Sequence, residues 1–218
     1  MARPHLVIFD CDGVLVDTET IANHRLAALL NGAGFATDFD HCRRYFSGRS
    51  MKSVQEEVEG TGVTLGADFV ERWNDGLAEL FEGRVEAIPH VRGAVEAVRD
   101  AGLPYCVASS ARVTKMHITL GATGLLPLFE HAMFSSTMVG RSKPFPDLFL
   151  YAATELGQPS QGAVVIEDSV PGTQAGIAAG MTVFSYAADP MADRDGLAAA
   201  GGILFDDMRD LPRLLSLA

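Results

Sequence analysis

The sequence predicts an α/β fold: a Rossmann-like, doubly wound parallel sheet interrupted by an all-helical insert. Three observations predict it. Short apolar runs recur along the chain, each followed by an amphipathic stretch. These runs are apolar at successive positions, as strands covered on both faces require. One region, residues 18–86, breaks the rhythm with helical patterns alone. The expected organisation is therefore a core of residues 1–17 and 87–218 carrying a helical cap of residues 18–86.

The strand candidates are "LVIF" (6–9), "YCVAS" (105–109), "HAMFS" (131–135), "AVVIED" (163–168), "TVFSY" (182–186) and "GILF" (202–205). Between them, stretches such as "HVRGAVEAVRDAG" and "VPGTQAGIAAGM" read as helices. The insert contains "TIANHRLAALLNGAG", "HCRRYFSG", "MKSVQEEVEGTG" and "ADFVERWNDGLAELFEG", four helical patterns with Gly near their ends. Hinges are expected at Asp17-Thr18 and between Gly83 and Pro89. Trp73 reads as cap core, not as a stacking platform.

A chain of 218 residues with 48% hydrophobic content suits one core with a smaller inserted unit. The net charge of −11 argues against nucleic acid or an anionic membrane as the main partner. An anionic ligand must then be drawn in by local cations against the overall field. No apolar run approaches the ~20 residues of a membrane span, and "MARPHLVIFD" is too short for a signal-peptide core. Cys11, Cys42 and Cys106 are scattered and show neither metal-ligand spacing nor a disulfide framework. A cytoplasmic monomer or weak dimer is expected, with a small molecule as its partner.

In an open α/β sheet, ligands collect outside the carboxyl ends of the strands. The first strand delivers Asp10 and Asp12 there, the second Ser109 and Ser110, the third leads to Lys143, and the fourth delivers Glu167 and Asp168. Residues i and i+2 share a side of a strand, so Asp10 and Asp12 can enter one cleft. Burying such carboxylates costs several kcal/mol, on the order of the desolvation penalty, unless a cation or partner compensates. An EF-hand reading fails, because Val14, Leu15 and Ile21 occupy its fifth, sixth and twelfth positions. Taken singly, Asp-Gly is a turn dipeptide, Asp168 or Ser169 a helix cap, Ser109 or Ser110 an N-cap, and Lys143 a surface cation. Together, the acids form a hard oxygen site suited to Mg²⁺. The serine hydroxyls and nearby backbone N–H groups suit phosphate oxygens.

The order acid-x-acid-Gly, then Ser, then Lys-Pro, then Glu-Asp resembles the haloacid dehalogenase superfamily. It resembles in particular the β-phosphoglucomutase-like phosphatases with a helical cap. "DCDGVLVDTE", "VASS", "SKPFPD" and "VIEDSVPGTQAGIAAGM" carry the resemblance, which spans essentially the whole chain. The last third looks most like bacterial sugar-phosphate phosphatases, including the 6-phosphogluconate phosphatase type. The resemblance implies a Mg²⁺-dependent hydrolase that releases phosphate from a small sugar or sugar-acid phosphate. Asp10 would be the nucleophile that forms an aspartyl-phosphate, and Asp12 the acid/base. The metal would be held by Asp10, the Asp12 backbone carbonyl, Asp168 and, directly or through water, Glu167. Ser109, Ser110, Lys143 and the backbone N–H groups of Cys11 and Asp12 would hold phosphate oxygens. The Cys11 side chain points to the opposite side. In the cap, Glu19, Arg49, Ser50 and Lys52 are candidate substrate contacts, against the alternative of a solvated helix start.

Three rival functions are weighed. A receiver-type phosphoswitch shares the acids, hydroxyl and lysine but leaves the insert unexplained. A dehalogenase needs no metal, which would leave Asp12 and the Glu167-Asp168 pair without use. A β-phosphoglucomutase-like mutase carries a hinge histidine and a cap arginine, and those positions fall on Ala22 and Met51 here. The Lys-Asn pair after the second motif is Arg112-Val113, and His24 faces elsewhere on its helix.

Overall fold

The computed structural model describes residues 3–217. Its strands are β1 (Val7–Phe9), β2 (Val16–Asp17), β3 (Glu86–Ala87), β4 (Tyr105–Ser109), β5 (Met133–Ser135), β6 (Val164–Glu167), β7 (Thr182–Tyr186) and β8 (Ile203–Phe205). Six of them form one sheet in the order β5-β4-β1-β6-β7-β8, with every pair parallel. All six strand candidates of the sequence are in it. Val7 pairs with Tyr105 on one side and with Val164 on the other. The sheet grows one way from β1 through β4 and β5, then the other way through β6, β7 and β8. The carboxyl end of β1 therefore sits where the strand order reverses, the place where open α/β sheets bind ligands.

The reason these strands are apolar throughout is visible in the two cores. Val7, Phe9, Val107, Ile166 and Phe184 pack into one cluster, and Leu6, Ile8, Cys106, Ala108 and Val165 into the other. Successive residues point to opposite faces, and both faces are covered.

The helices are α1 (Glu19–Gly32), α2 (Phe39–Tyr45), α3 (Met51–Glu59), α4 (Phe69–Asn74), α5 (Leu77–Phe81), α6 (Val91–Asp100), α7 (Val113–Ala122), α8 (Leu126–Phe129), α9 (Asp147–Glu155), α10 (Val170–Ala178), α11 (Arg194–Ala199) and α12 (Leu211–Leu214). The inserted helices have a core of their own, built from Leu26, Leu30, Cys42, Phe46, Val54, Val58, Phe69 and Trp73. Local capping sets their starts. Asp38 accepts from the N–H of His41 at 2.8 Å to start α2, and Ser50 accepts from the N–H of Ser53 at 3.2 Å to start α3.

The last helical pattern of the insert differs from expectation. It divides at Asp75-Gly76, where Gly76 takes a left-handed φ of 68°. The second piece, α5, then turns away from the other inserted helices. Its Leu77 and Phe81 join the sheet-side cluster beside Met116 and Leu120 of α7. The two chain crossings read as hinges are themselves paired: β2 and β3 form a short antiparallel ladder, Val16 with Ala87 and Asp17 with Glu86. Among the described residues, no helix is long and apolar enough to cross a membrane. The three cysteines are free and buried.

Candidate active site

Asp10 follows β1 directly, and its N–H donates to the Ile166 carbonyl of β6 at 2.9 Å. This main-chain bond fixes the carboxylate at the switch point. Burial pushes the Asp10 carboxyl up to about 7; Lys143 pulls it down, while Glu167 and Asp12 add to the rise. Lys143 Nζ donates to Asp10 Oδ1 at 2.5 Å and to Glu167 Oε1 at 2.6 Å. A third, longer bond runs from Nζ to the Ala108 carbonyl at 3.3 Å. Lys143 is 1% exposed, so its ammonium is an internal counter-ion and not a surface charge. Burial opposes that charge, and the two carboxylates outweigh burial, raising its pKa.

Glu167 ends β6 with no exposed surface. Its Oε2 accepts from the N–H groups of Asp168 and Ser169 and from the Ser169 hydroxyl, each at 2.9 Å. Ser169 Oγ in turn accepts from the Gly172 N–H at 3.1 Å and caps α10. The carboxylate lies so close to this helix start that a Cβ on residue 172 would come within 1.8 Å of Oε1. Glycine is required there. Ser169 thus caps α10 and at the same time donates to the buried Glu167 carboxylate.

Asp10, Glu167 and Asp168 each offer a carboxylate oxygen, and these oxygens lie within 4.8 Å of one another. The Asp168 pKa is also raised, by burial first and then by Glu167, Glu19 and Asp10. The main chain approaches closely: a Cβ on Gly13 would lie 2.0 Å from Asp168 Oδ2, and Gly13 has φ +80°. Three hard oxygen donors, with a carboxylate whose charge is incompletely compensated, fit a hard divalent cation.

Asp12 is placed differently from Asp10. Its Oδ1 accepts from the Thr18 hydroxyl and, at 2.7 Å, from Lys115 Nζ. Lys115 is on α7 and its side chain is 8% exposed. Burial opposes its charge and Asp12 outweighs burial, so its pKa is raised. Sequence reasoning missed Lys115, and no local signal marks it. It lies more than a hundred residues from its partner, in the first turn of a helix with an ordinary pattern.

Ser109 is buried and its Oγ accepts from the Ala111 N–H at 3.0 Å. Ser110 Oγ instead donates to the Gly48 carbonyl of the insert at 2.9 Å. The Cys11 side chain turns into the core, 1% exposed and 4.0 Å from Thr119 Oγ1; only its backbone remains available at the site.

The inserted helices close over these groups and leave a cavity of about 690 Å³. Asp10, Asp12, Ser109, Ser110 and Lys143 line its floor; Glu19, Arg49, Ser50 and Lys52 line its wall. Glu19 Oε2 accepts from Ser47 at 2.8 Å, Asn23 at 2.9 Å and Arg43 at 3.0 Å. Arg49 donates to Glu57 and, at 2.8 Å, to Ser53 Oγ. Ser50 Oγ donates to Ser142 Oγ of the core at 3.1 Å. Lys52 is exposed and 3.9 Å from Glu56, a solvated pair. Further links across the gap are Arg43 to Asp189 and Arg112 to Glu71, the latter at 2.8 Å. Gly48 (φ +76°) runs so near α10 that a Cβ would lie 2.3 Å from Ser169 Oγ.

Comparison with known proteins agrees with this geometry. The family profile of haloacid dehalogenase-like hydrolases matches residues 7–186. A 6-phosphogluconate phosphatase of Escherichia coli K12 is 33% identical over 192 residues, covering 87% of this chain and 86% of that one. A haloacid dehalogenase-like protein of Agrobacterium tumefaciens superposes with a TM-score of 0.77 at 31% identity, covering 97% of both chains. A haloacid dehalogenase family hydrolase of Deinococcus radiodurans R1, whose structure holds phosphate and sodium, superposes with a TM-score of 0.73 at 29% identity, covering 100% and 97%. The chain therefore belongs to the haloacid dehalogenase-like hydrolases and is an enzyme of the phosphatase type.

Proposed function

We propose that the protein is a Mg²⁺-dependent phosphatase of small sugar or sugar-acid phosphates, acting through a phosphorylated Asp10. The observation that carries this reading is the pairing of two carboxylates on one cavity, each with a buried lysine on its Oδ1: Lys143 on Asp10 and Lys115 on Asp12. One acid is set deep beside the candidate metal donors; the other is set two residues on, nearer the mouth.

In this reading, an Asp10 oxygen forms a bond to phosphorus while the bond from phosphorus to the ester oxygen breaks. Asp12 gives its proton to the departing alkoxide. A water then attacks the aspartyl-phosphate, Asp12 takes that water's proton, and the bond from Asp10 to phosphorus breaks to release inorganic phosphate. Lys143 balances charge and orients Asp10, and Ser109 with the backbone N–H groups after Asp10 hold phosphate oxygens. Mg²⁺, held by Asp10, Asp168, the Asp12 carbonyl and Glu167, supplies neutralisation of the phosphate charge. With both Glu167 oxygens already accepting protein hydrogen bonds, much of its work is to hold Lys143 and the 168–169 turn.

The cavity of about 690 Å³ is of the size that suits a small metabolite. The sugar-acid preference is supported by the E. coli relative. A Thermotoga maritima phosphatase of phosphorylated carbohydrates, 25% identical over 198 residues, supports the broader class. A screen of phosphate release over sugar phosphates and sugar-acid phosphates, with and without Mg²⁺, tests the reading. Release from sugar or sugar-acid phosphates, and not from nucleotides or phosphoproteins, is expected. The absence of any metal-dependent release would overturn it.

A further inference from the structure

We propose that Lys115 is a positioning residue: it holds Asp12 by Oδ1 so that Oδ2 is presented to the ester oxygen. The inference rests on the reading of Asp12 as the acid/base.

Both donors to the Asp12 side chain, Thr18 and Lys115, converge on the same oxygen. Among the described residues, no donor meets Oδ2. The Asp12 side chain is 17% exposed and lines the cavity, so the unclaimed oxygen is the one left for the ligand. This division of labour suits proton transfer. A carboxyl group keeps one acceptor oxygen whether or not the other bears a proton. The bonds to Oδ1 can therefore persist while the proton on Oδ2 leaves for the alkoxide and is replaced from water.

Lys115 is itself rigidly held. It projects from α7 between Met116 and Thr119 of the same helix, both without exposed surface. Its ammonium lies 5.6 Å from the centre of the Phe81 ring on α5, a cation–π distance. Stability alone does not account for the ion pair, since a buried pair is commonly no more stabilising than two apolar side chains of similar volume. The ammonium is placed where a misdirected carboxyl group would be costly, since a displacement near 1 Å can lower rates roughly 10²-fold.

The test exploits the leaving group. A p-nitrophenolate departs with little need for a proton, whereas an alkoxide needs one. Steady-state kinetics with Mg²⁺ would be compared on p-nitrophenyl phosphate and glycerol phosphate for the wild type, Lys115→Met and Asp12→Asn. Lys115→Met is expected to lower kcat/KM, which reports the steps up to leaving-group departure, roughly 10- to 100-fold on glycerol phosphate, with kcat/KM on p-nitrophenyl phosphate little changed. Asp12→Asn should show the same bias, more strongly. Equal losses on both substrates in Lys115→Met would mean a structural role only, and a gain would mean that Lys115 restrains Asp12; either overturns the proposal. A bias in Asp12→Asn without one in Lys115→Met overturns the proposal alone. No bias in Asp12→Asn overturns the acid/base reading and the proposal with it. Lys115→Gln retains a donor and guards against loss of the fold: an intermediate bias is expected, and its absence in a folded variant counts against the proposal.

Discussion

Lys143 Nζ lies 2.5 Å from Asp10 Oδ1, and neither residue has more than 5% of its surface exposed. The pair joins the end of β1 to the loop before α9, and Glu167 completes it from β6. Removing one member of a buried ion pair leaves an uncompensated charge and costs about 3–5 kcal/mol. Lys143→Met is therefore expected to abolish turnover and to lower the urea unfolding midpoint in the absence of metal, with Mg²⁺ restoring part of the stability. An unchanged midpoint would show that the pair contributes nothing net.

Asp10 ties stability to pH. Its carboxyl is raised from 3.8 to about 7 in the fold, mainly by burial. Between those values the folded chain keeps a proton that the unfolded chain has released. The metal-free protein should therefore lose stability from this group as pH rises through that window, and level off above it. A divalent cation requires the carboxylate form, so the rise in melting temperature on adding Mg²⁺ should be larger at about pH 8 than at about pH 5. Equal rises at both would disconnect Asp10 from the metal. EDTA should abolish phosphate release, and Ca²⁺, with its looser coordination, should inhibit.

The two acids of the first motif should fail in different ways. Asp10→Asn is expected to give neither turnover nor an acid-stable phosphorylated protein after quenching with labelled substrate. Asp12→Asn should still form the phosphorylated enzyme, but roughly 10²–10⁴-fold more slowly on a sugar phosphate, and should release phosphate slowly too. Near-normal turnover by Asp12→Asn on an alkyl ester would remove its assigned role.

Gly13→Ala should injure metal binding beyond its effect on stability. The residue has φ +80°, and the added Cβ would lie 2.0 Å from Asp168 Oδ2. A left-handed backbone costs a non-glycine residue about 1–2 kcal/mol. The displaced Asp168 carboxylate should further weaken Mg²⁺ affinity, measured by calorimetry on the folded variant. Unaltered affinity would place Asp168 outside the metal site.

No isomerisation of β-glucose 1-phosphate is expected. His24 stacks on Phe39 with ring centres 4.5 Å apart, while Ala22 and Met51, the positions to which the family resemblance assigns a mutase's histidine and cap arginine, line the cavity. Arg112 is paired with Glu71 across the gap. Assays with catalytic glucose 1,6-bisphosphate should yield inorganic phosphate, and efficient formation of glucose 6-phosphate would reverse the assignment.

Consecutive residues alone specify which segments are strands, that the sheet is parallel and two-faced, and which side chains arrive at the strand ends. These properties are local. A run such as Val164–Ile166 is apolar at every position because each alternate residue meets a different core, and that pattern is written in consecutive letters. Asp10, Asp12, Ser109, Lys143, Glu167 and Asp168 follow from it, because strand ends of a parallel sheet converge. Tertiary structure decided what those groups touch. The strand order, the β2–β3 ladder of only two residues a side, and the turn of α5 toward α7 depend on packing between distant segments. The same is true of Ser110, whose hydroxyl meets the Gly48 carbonyl, and of Lys115, which reaches Asp12 from another helix. A lysine in an amphipathic stretch looks the same in sequence whether it meets water or a buried carboxylate; only the packing of α7 against α5 and β5, which brings Lys115 to Asp12, separates the two.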